Sequence, residues 1–322
     1  MREAAFIKKH KVKWQQFEDV LSKKITVSPD QLSDLYIEIT DDLSYAKTFY
    51  PNSKVVGYLN GVAATAHLKI YVTKKESKNR FISFFKTEFP LAFYKHQKQL
   101  LIAFSVFLFF AIVGAFSAAN DVDFVRVILG DSYVNMTLEN IDKGDPMAVY
   151  KKQAEMDMFL GITINNIRVA MMAFVLGILF SLGTLFVMMQ NGIMLGSFLY
   201  FFYDKDLLWE SSRTIWIHGT IEIAVIIIAG CAGMVLGNGI LFPKTYSRLE
   251  SFKKSIKEGL KIMVSTIPFF IIAGFLEGFV TRHTEMPDWL AIFIITCSLS
   301  LIVFYYIIYP IQLTKKLQRD VQ

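Results

Sequence analysis

Uncharged stretches too long for a soluble core constrain this chain more than any other feature. Between Lys98 and Asp121 lie 22 uncharged residues, and between Arg168 and Asp204 lie 35. Residues 214–243 carry one acidic side chain, Glu222; residues 262–281 carry one, Glu277; residues 289–314 carry none. About 20 apolar residues of helix cross a hydrocarbon core of ~30 Å, so five segments are long enough. The second is overlong: at ~1.5 Å per residue it would reach roughly 52 Å as one helix. The expected fold is therefore all-α, a polytopic helical membrane bundle with 5–6 membrane segments. Composition agrees. The chain is 53% hydrophobic and 19% charged, with a mean hydropathy of +0.40; soluble domains hold about 25% charged residues. A purely soluble enzyme, a disordered chain and a secreted disulfide scaffold are excluded. Cys231 and Cys297 both lie in apolar runs and are expected as buried free thiols, not a bridge.

Basic residues set the expected orientation. Residues 1–98 hold 17 basic and 10 acidic residues, and residues 242–261 hold 6 and 2. Residues 119–166 reverse the balance, with 4 basic against 8 acidic. The N-terminal region, the 242–261 connection and the tail (Lys315, Lys316, Arg319) are thus expected in the cytoplasm of a cell (inner) membrane, with 119–166 outside. Met1 leads into charged residues with no signal-peptide core, which keeps the N-terminus inside. Two ends on one side require an even number of crossings, whereas five segments are odd. A break at Asn191-Gly192 resolves this: residues 170–190 span, and 192–203 return as a short helix, crossing or re-entrant. A single tilted helix is the alternative. The expected division is a cytoplasmic helical domain at 1–79, an interfacial amphipathic helix at 80–97, a first span at 98–119 and an extracytoplasmic cap at 120–166. A core at 167–314 follows (167–190, 192–203, 214–242, 260–281, 289–311), then a tail at 315–322.

Outside the spans the patterns are helical. Ile7, Trp14, Phe17 and Leu21 share a face. Ser28-Pro29-Asp30-Gln31 reads as a capped helix start, followed by the stripe Leu32, Leu35, Tyr36, Ile39 and Leu43. Tyr50-Pro51-Asn52 ends that helix, and a third runs from Val55 to Tyr71. Residues 80–97 interleave Phe81, Phe84, Phe85, Phe89, Phe93 and Tyr94 with Arg80, Lys86 and Lys95, which suits a helix on the inner leaflet or an ordinary amphipathic helix. In the cap, Val122, Val125, Ile128 and Leu129 make one amphipathic candidate and Pro146 to about Leu160 another. The bilayer's positive-inside bias accounts for the net charge of +6, so nucleic acid is not an expected partner. Asp142-Lys143-Gly144-Asp145 lacks the spacing of a calcium loop. No Walker loop, dinucleotide fingerprint or zinc-spaced cysteine pair occurs. No catalytic residue, cofactor or metal is expected.

Ionisable groups within hydrocarbon cost roughly 2.5–3.5 kcal/mol each on insertion scales, so each needs a reason. His218 and Glu222 are four apart and share a helix face. In the expected topology His218 lies ~6 Å deep, Glu222 ~12 Å, and Glu277 ~6 Å below the same outer face, with Asn165, Asn166 and Arg168 at the mouth of the second span. The candidate polar cluster is therefore Asn165, Asn166, Arg168, His218, Glu222 and Glu277. Three readings stand. Arg168 pairs with Glu222 or Glu277 and the cluster sets helix register; the groups line a cavity handling protons, ions or a solute; or His218, Glu222 and Glu277 hold a metal that activates water, although His283 falls beyond the span and leaves one histidine. Gly192/Gly196, Gly233/Gly237 and Gly274/Gly278 are four-residue glycine pairs suited to close helix approach, within the chain or in a homodimer.

The runs Tyr50-Pro51-Asn52-Ser53, Tyr58-Leu59-Asn60, Ala66-His67 and Ile70-Tyr71 carry a resemblance. So do Asn165-Asn166-Ile167-Arg168-Val169-Ala170 leading to Gly177-Ile178, Asn191-Gly192 with Leu195-Gly196, His218-Gly219 with Glu222, and Leu241-Phe242-Pro243. Between about residue 5 and residue 285 the chain resembles the stage II sporulation protein M family. The resemblance implies a non-enzymatic membrane scaffold: the sporulation member helps recruit peptidoglycan-degrading enzymes to the septal membrane. Its implied partners are the lipid bilayer and unidentified membrane or envelope proteins. Relatives occur in bacteria and archaea that make no spores. Asn166, Arg168, His218 and Glu222 carry over as motif positions without a catalytic role. A small-solute or ion transporter is the alternative, and an intramembrane metal-dependent hydrolase the third reading.

Overall fold

The computed structural model describes residues 1–22, 29–71, 80–151 and 154–319. No strand occurs among them, and the chain divides into two units, Met1–Arg80 and Phe81–Gln322.

Among its described residues the first unit holds three long helices: α1 (Glu3–Leu21), α2 (Pro29–Phe49) and α3 (Lys54–Tyr71). Each buries one apolar stripe. Phe6, Trp14 and Phe17 of α1 meet Ile39, Leu43 and Ala46 of α2 and Leu59, Val62 and Ala66 of α3. Ile7, Leu32, Leu35 and Tyr36 pack at the rim of this core. One buried carboxylate is fully engaged: Asp42 accepts from the Trp14 indole at 2.8 Å and pairs with Lys13 at 2.7 Å and His10 at 3.1 Å. The α2–α3 turn is closed by Ser53, whose Oγ accepts from the Val55 amide at 3.1 Å. Ser28, read as a cap, lies outside the described residues.

The second unit begins with a latch. Arg80–Ser83, a wide π turn at Phe84–Glu88 and Phe89–Tyr94 form a broken helix. Its Phe89 and Phe93 are fully buried against Phe269, Tyr305 and Tyr306, while Phe81 stays exposed. These two aromatics serve the protein core instead of a lipid surface. Six helices long and apolar enough to cross a membrane are present among the described residues. The first is α4 (Gln97–Asn120). A cap follows with α5 (Phe124–Leu129), α6 (Asp131–Asp142) and a 3-10 turn (Ala148–Lys151). The remaining crossings are α7 (Glu155–Ile178), α8 (Leu182–Asp204), α9 (Leu208–Leu241), α10 (Arg248–Thr281) and α11 (Asp288–Arg319). Apolar along most of its length, α9 is the hub: 78% of its apolar window is buried, against 17% for α4 and 22% for α11.

Six alternating helices return the chain to the face it started from. Gln97 donates to the Tyr306 carbonyl at 2.9 Å, His96 meets Glu258 at 3.0 Å, and Tyr305 and Tyr309 donate to the Phe85 and Lys86 carbonyls. At the opposite, cap-side face Arg213 joins the turns after α8 and α10 through Asp288 and the Thr284 carbonyl, and Arg282 pairs with Glu155 at 3.0 Å.

Three sequence expectations are corrected here. The break is not at Asn191-Gly192, and there is no short or re-entrant helix at 192–203: α8 runs through unbroken, with the Asn191 side chain donating to the Val187 carbonyl at 2.8 Å. Gly192 instead lets α8 abut α4, since a Cβ there would stand 2.6 Å from the Phe107 carbonyl oxygen. The reversal comes ten residues earlier, at Phe180 and Ser181, whose φ angles of 53° and 67° are left-handed. Both halves of the overlong stretch thereby become helices long and apolar enough to cross a membrane. Secondly, the cap ends at Ala154, not 166, and Pro146–Leu160 is not one helix. Arg168 made the span look as though it began at residue 167; the helix starts at Glu155, where Glu155 and Asp157 favour the positive end of the dipole. Thirdly, Cys231 is buried and free as expected, but Cys297 is exposed on α11, a helix that buries only one face, with Ser298, Ile302 and Tyr306.

Candidate functional site

A cavity of about 480 Å³ lies among α4, α7, α8, α9 and α10 beneath the cap. Helix periodicity supplies its polar wall. On α9, His218 and Glu222 are one turn apart and point the same way. Glu277 projects from a π turn, Leu276–Thr281, that ends α10. Asn165 and Asn166 come from α7 and Asn191 from α8, while Tyr133 and Tyr150 close the cap side. Apolar residues such as Phe107, Leu195 and Ile226 make up the rest. The cavity is partly open, and two of its lining residues, Asn165 and Met194, are exposed.

The centre of the site is a histidine between two carboxyl groups. His218 is 4% exposed, and its Nε2 stands 3.7 Å from Oε1 of Glu277. One ligand atom each from His218, Glu222 and Glu277 lie within 4.8 Å of one another. On its far side, His218 Nδ1 is 2.9 Å from the Thr281 hydroxyl, which donates to the Leu276 carbonyl at 3.1 Å. Asn166 and Glu222 line the same cavity wall. The Tyr150 ring packs edge-on over His218, with centroids 5.7 Å apart. Burial, reinforced by Glu277, Tyr133 and Glu222, raises the Tyr150 phenol well above its ordinary range. Tyr150 is therefore a neutral hydrogen-bonding group at physiological pH.

The structure brings together Asn165, Asn166, His218, Glu222 and Glu277 and leaves Arg168 out. Arg168 is exposed and makes no ion pair with either carboxylate. The reason is angular: at 100° per residue, a side chain two positions beyond Asn166 points to the other side of the helix. Asn191, Thr281, Tyr133 and Tyr150 are missing from the sequence-derived cluster. Asn191 was legible as a polar residue in an apolar run, but served there as a helix breaker. Thr281 lies four residues from Glu277, and the tyrosines gave no signal, because only tertiary folding lays the cap over the bundle.

The glycine pairs do their packing inside the chain. A Cβ at Gly192 or Gly196 would enter the α4 backbone at Phe107 and Ala111. Gly233 meets the Ala173 carbonyl and Thr184, and Gly237 meets Ser181. Gly274 and Gly278 meet Thr163, Phe159 and the Glu155 carbonyl. These contacts hold α7, α9 and α10 at the separation that frames the cavity.

The sequence model of stage II sporulation protein M matches residues 103–282, more than half of the chain. The chain belongs to the stage II sporulation protein M family. The match contains every polar residue of the cavity. A second model, a domain of unknown function (DUF8413), matches residues 4–72. The N-terminal motifs from Tyr50 to Tyr71 thus lie outside the stage II sporulation protein M match, which is shorter than the resemblance read from residue 5. Among curated proteins, an uncharacterized protein of Methanocaldococcus jannaschii is 30% identical over 127 residues, 38% of this chain. The chain covers 56% of that relative's length. No solved structure matches.

Proposed function

We propose that this multi-pass protein resides in the cell membrane with both ends cytoplasmic and binds a small cationic or hydrogen-bond-donating solute in its cap-side cavity. One observation carries the reading: Glu222, Glu277, His218 and three asparagines converge on a partly open cavity of about 480 Å³ with exposed Asn165 in its wall. A cluster serving helix register alone would be closed and mutually paired. Here Arg168 is turned away, and no lysine or arginine is among the lining residues. An excess of acceptors without a basic partner selects donors and cations. The opening makes the cavity suited to the binding step of a transporter, and no catalytic step is assigned to it.

The orientation rests on charge. Lys244, Lys253, Lys254, Lys315 and Lys316 sit at the face where Gln97 begins the bundle, while the cap is acid-rich. Trp209 and Trp289, both exposed, lie near the cap-side helix ends, where aromatic residues favour a membrane interface.

Thiol access tests the cavity. In a background lacking Cys231 and Cys297, Asn165→Cys and Asn166→Cys react with a small polar thiol reagent in intact vesicles, while a cysteine at fully buried Val225 does not. Failure of both cavity positions to react overturns the reading. A scaffold for envelope proteins is the second reading. It draws on family membership and on the separate three-helix N-terminal unit, and predicts that deleting residues 1–79 removes partner association while leaving cavity labelling intact.

A further inference from the structure

We infer that His218, Glu222 and Glu277 form a three-ligand site for one divalent transition-metal ion, leaving a fourth position open to the cavity. The inference deepens the cavity reading, on which it rests for that open position.

The hydrogen bonds around His218 set its chemistry. The Thr281 hydroxyl spends its proton on the Leu276 carbonyl, so its oxygen accepts from His218 Nδ1–H. The imidazole is thereby held as the tautomer whose bare Nε2 faces Glu277, the form that binds a metal. His218 thus has the outer-shell partner that a metal ligand needs. The i, i+4 spacing of His218 and Glu222 places both on one side of α9, a spacing that helical metal sites use.

Distance and charge agree. Tetrahedral ligands at ~2.0–2.2 Å from zinc stand roughly 3.3–3.6 Å apart; these ligand atoms lie within 4.8 Å of one another, and His218 Nε2 to Glu277 is already 3.7 Å. Small side-chain rotations close the difference. Two carboxyl groups this close stay charged together only beside a cation, and no basic residue among those lining the cavity supplies one. A divalent ion balances both. One imidazole nitrogen with two carboxylates suits zinc, cobalt or manganese better than calcium, which takes six to eight oxygens.

The test uses the full-length protein purified in detergent and loaded with zinc or cobalt. Elemental analysis should find one ion per chain. Visible absorption of the cobalt form should show tetrahedral bands, and X-ray absorption of the zinc form one imidazole with oxygen neighbours. Glu222→Gln and Glu277→Gln should each lose the ion, and Thr281→Val should weaken it about 10–100-fold without removing a ligand. A wild-type chain that takes up no ion overturns the inference; so does an ion coordinated by sulfur or retained equally by both glutamine variants. Because the spectra come from wild type, misfolding of a variant does not shield the claim. Thiol labelling reads the cavity separately. A labelled cavity with no metal overturns the metal site and leaves the cavity reading standing. An unlabelled cavity in a chain carrying one ion overturns the cavity reading and supports the three ligands.

Discussion

A methyl group at Gly196 would collide with the Ala111 carbonyl of the neighbouring helix, whereas at Gly161 it would meet nothing within 4 Å. The two alanine substitutions should therefore differ in sign. Gly196→Ala forces α4 and α8 apart and should cost about 1–3 kcal/mol, the range for overpacking. Gly161→Ala gains helix propensity and should be neutral or stabilising by up to ~1 kcal/mol. Thermal melts in detergent check both; equal shifts would contradict the helix contact. Tyr150 offers a pH test at the same scale. A phenol whose folded pKa lies above its ordinary value of 10.0 contributes stability that is complete below pH 10 and fades as pH climbs toward the folded value. The cap should therefore loosen in alkali, and Tyr150→Phe should flatten the loss above pH 10, as followed by proteolysis of residues 121–154. Of the site, His218, Glu222 and Glu277 were legible because charge in an apolar run is costly. Thr281 was not, because hydroxyl groups occur in spans without a site.

The tight reversal between α7 and α8 is the element on which the topology turns. Phe180 is exposed and left-handed, a conformation costing roughly 1–2 kcal/mol for a residue with a Cβ. Phe180→Gly should therefore raise the melting temperature, by about 1 kcal/mol of stability. A drop would mean that the ring's surface contacts outweigh the backbone cost. The rest of the turn explains why it sits here. The Ser181 amide bonds the Gly177 carbonyl at 3.0 Å, closing the end of α7, and Ser181 packs into the space left by Gly237. No turn residue pair marks Phe180-Ser181 in the sequence. Asn191-Gly192 does mark one, yet its glycine answers a different demand, close approach to α4. Glycine has the same propensity in both roles, so the neighbour selects between them. The helices of the first unit were easier to read, since each buries a single amphipathic stripe over three-residue and four-residue steps.

For the molecule as a whole, six crossings predict that reporters fused after Asp206 and after Thr284 fall on one side of the membrane, and one in the 242–247 connection on the other. A reporter after Asp206 on the same side as the 242–247 connection would break the alternation. Helical class and the presence of long apolar segments followed from the chain's charge pattern. Those properties depend on the transfer of each side chain between water and hydrocarbon, and that energy is nearly additive along a sequence. Where the chain reverses, which way Arg168 faces, and whether His218, Glu222 and Glu277 surround a cavity or close on one another depend on contacts between residues far apart in sequence, 63 positions in the His218–Thr281 pair. Packing of that kind is a property of neighbouring surfaces, which exist only once the helices have come together.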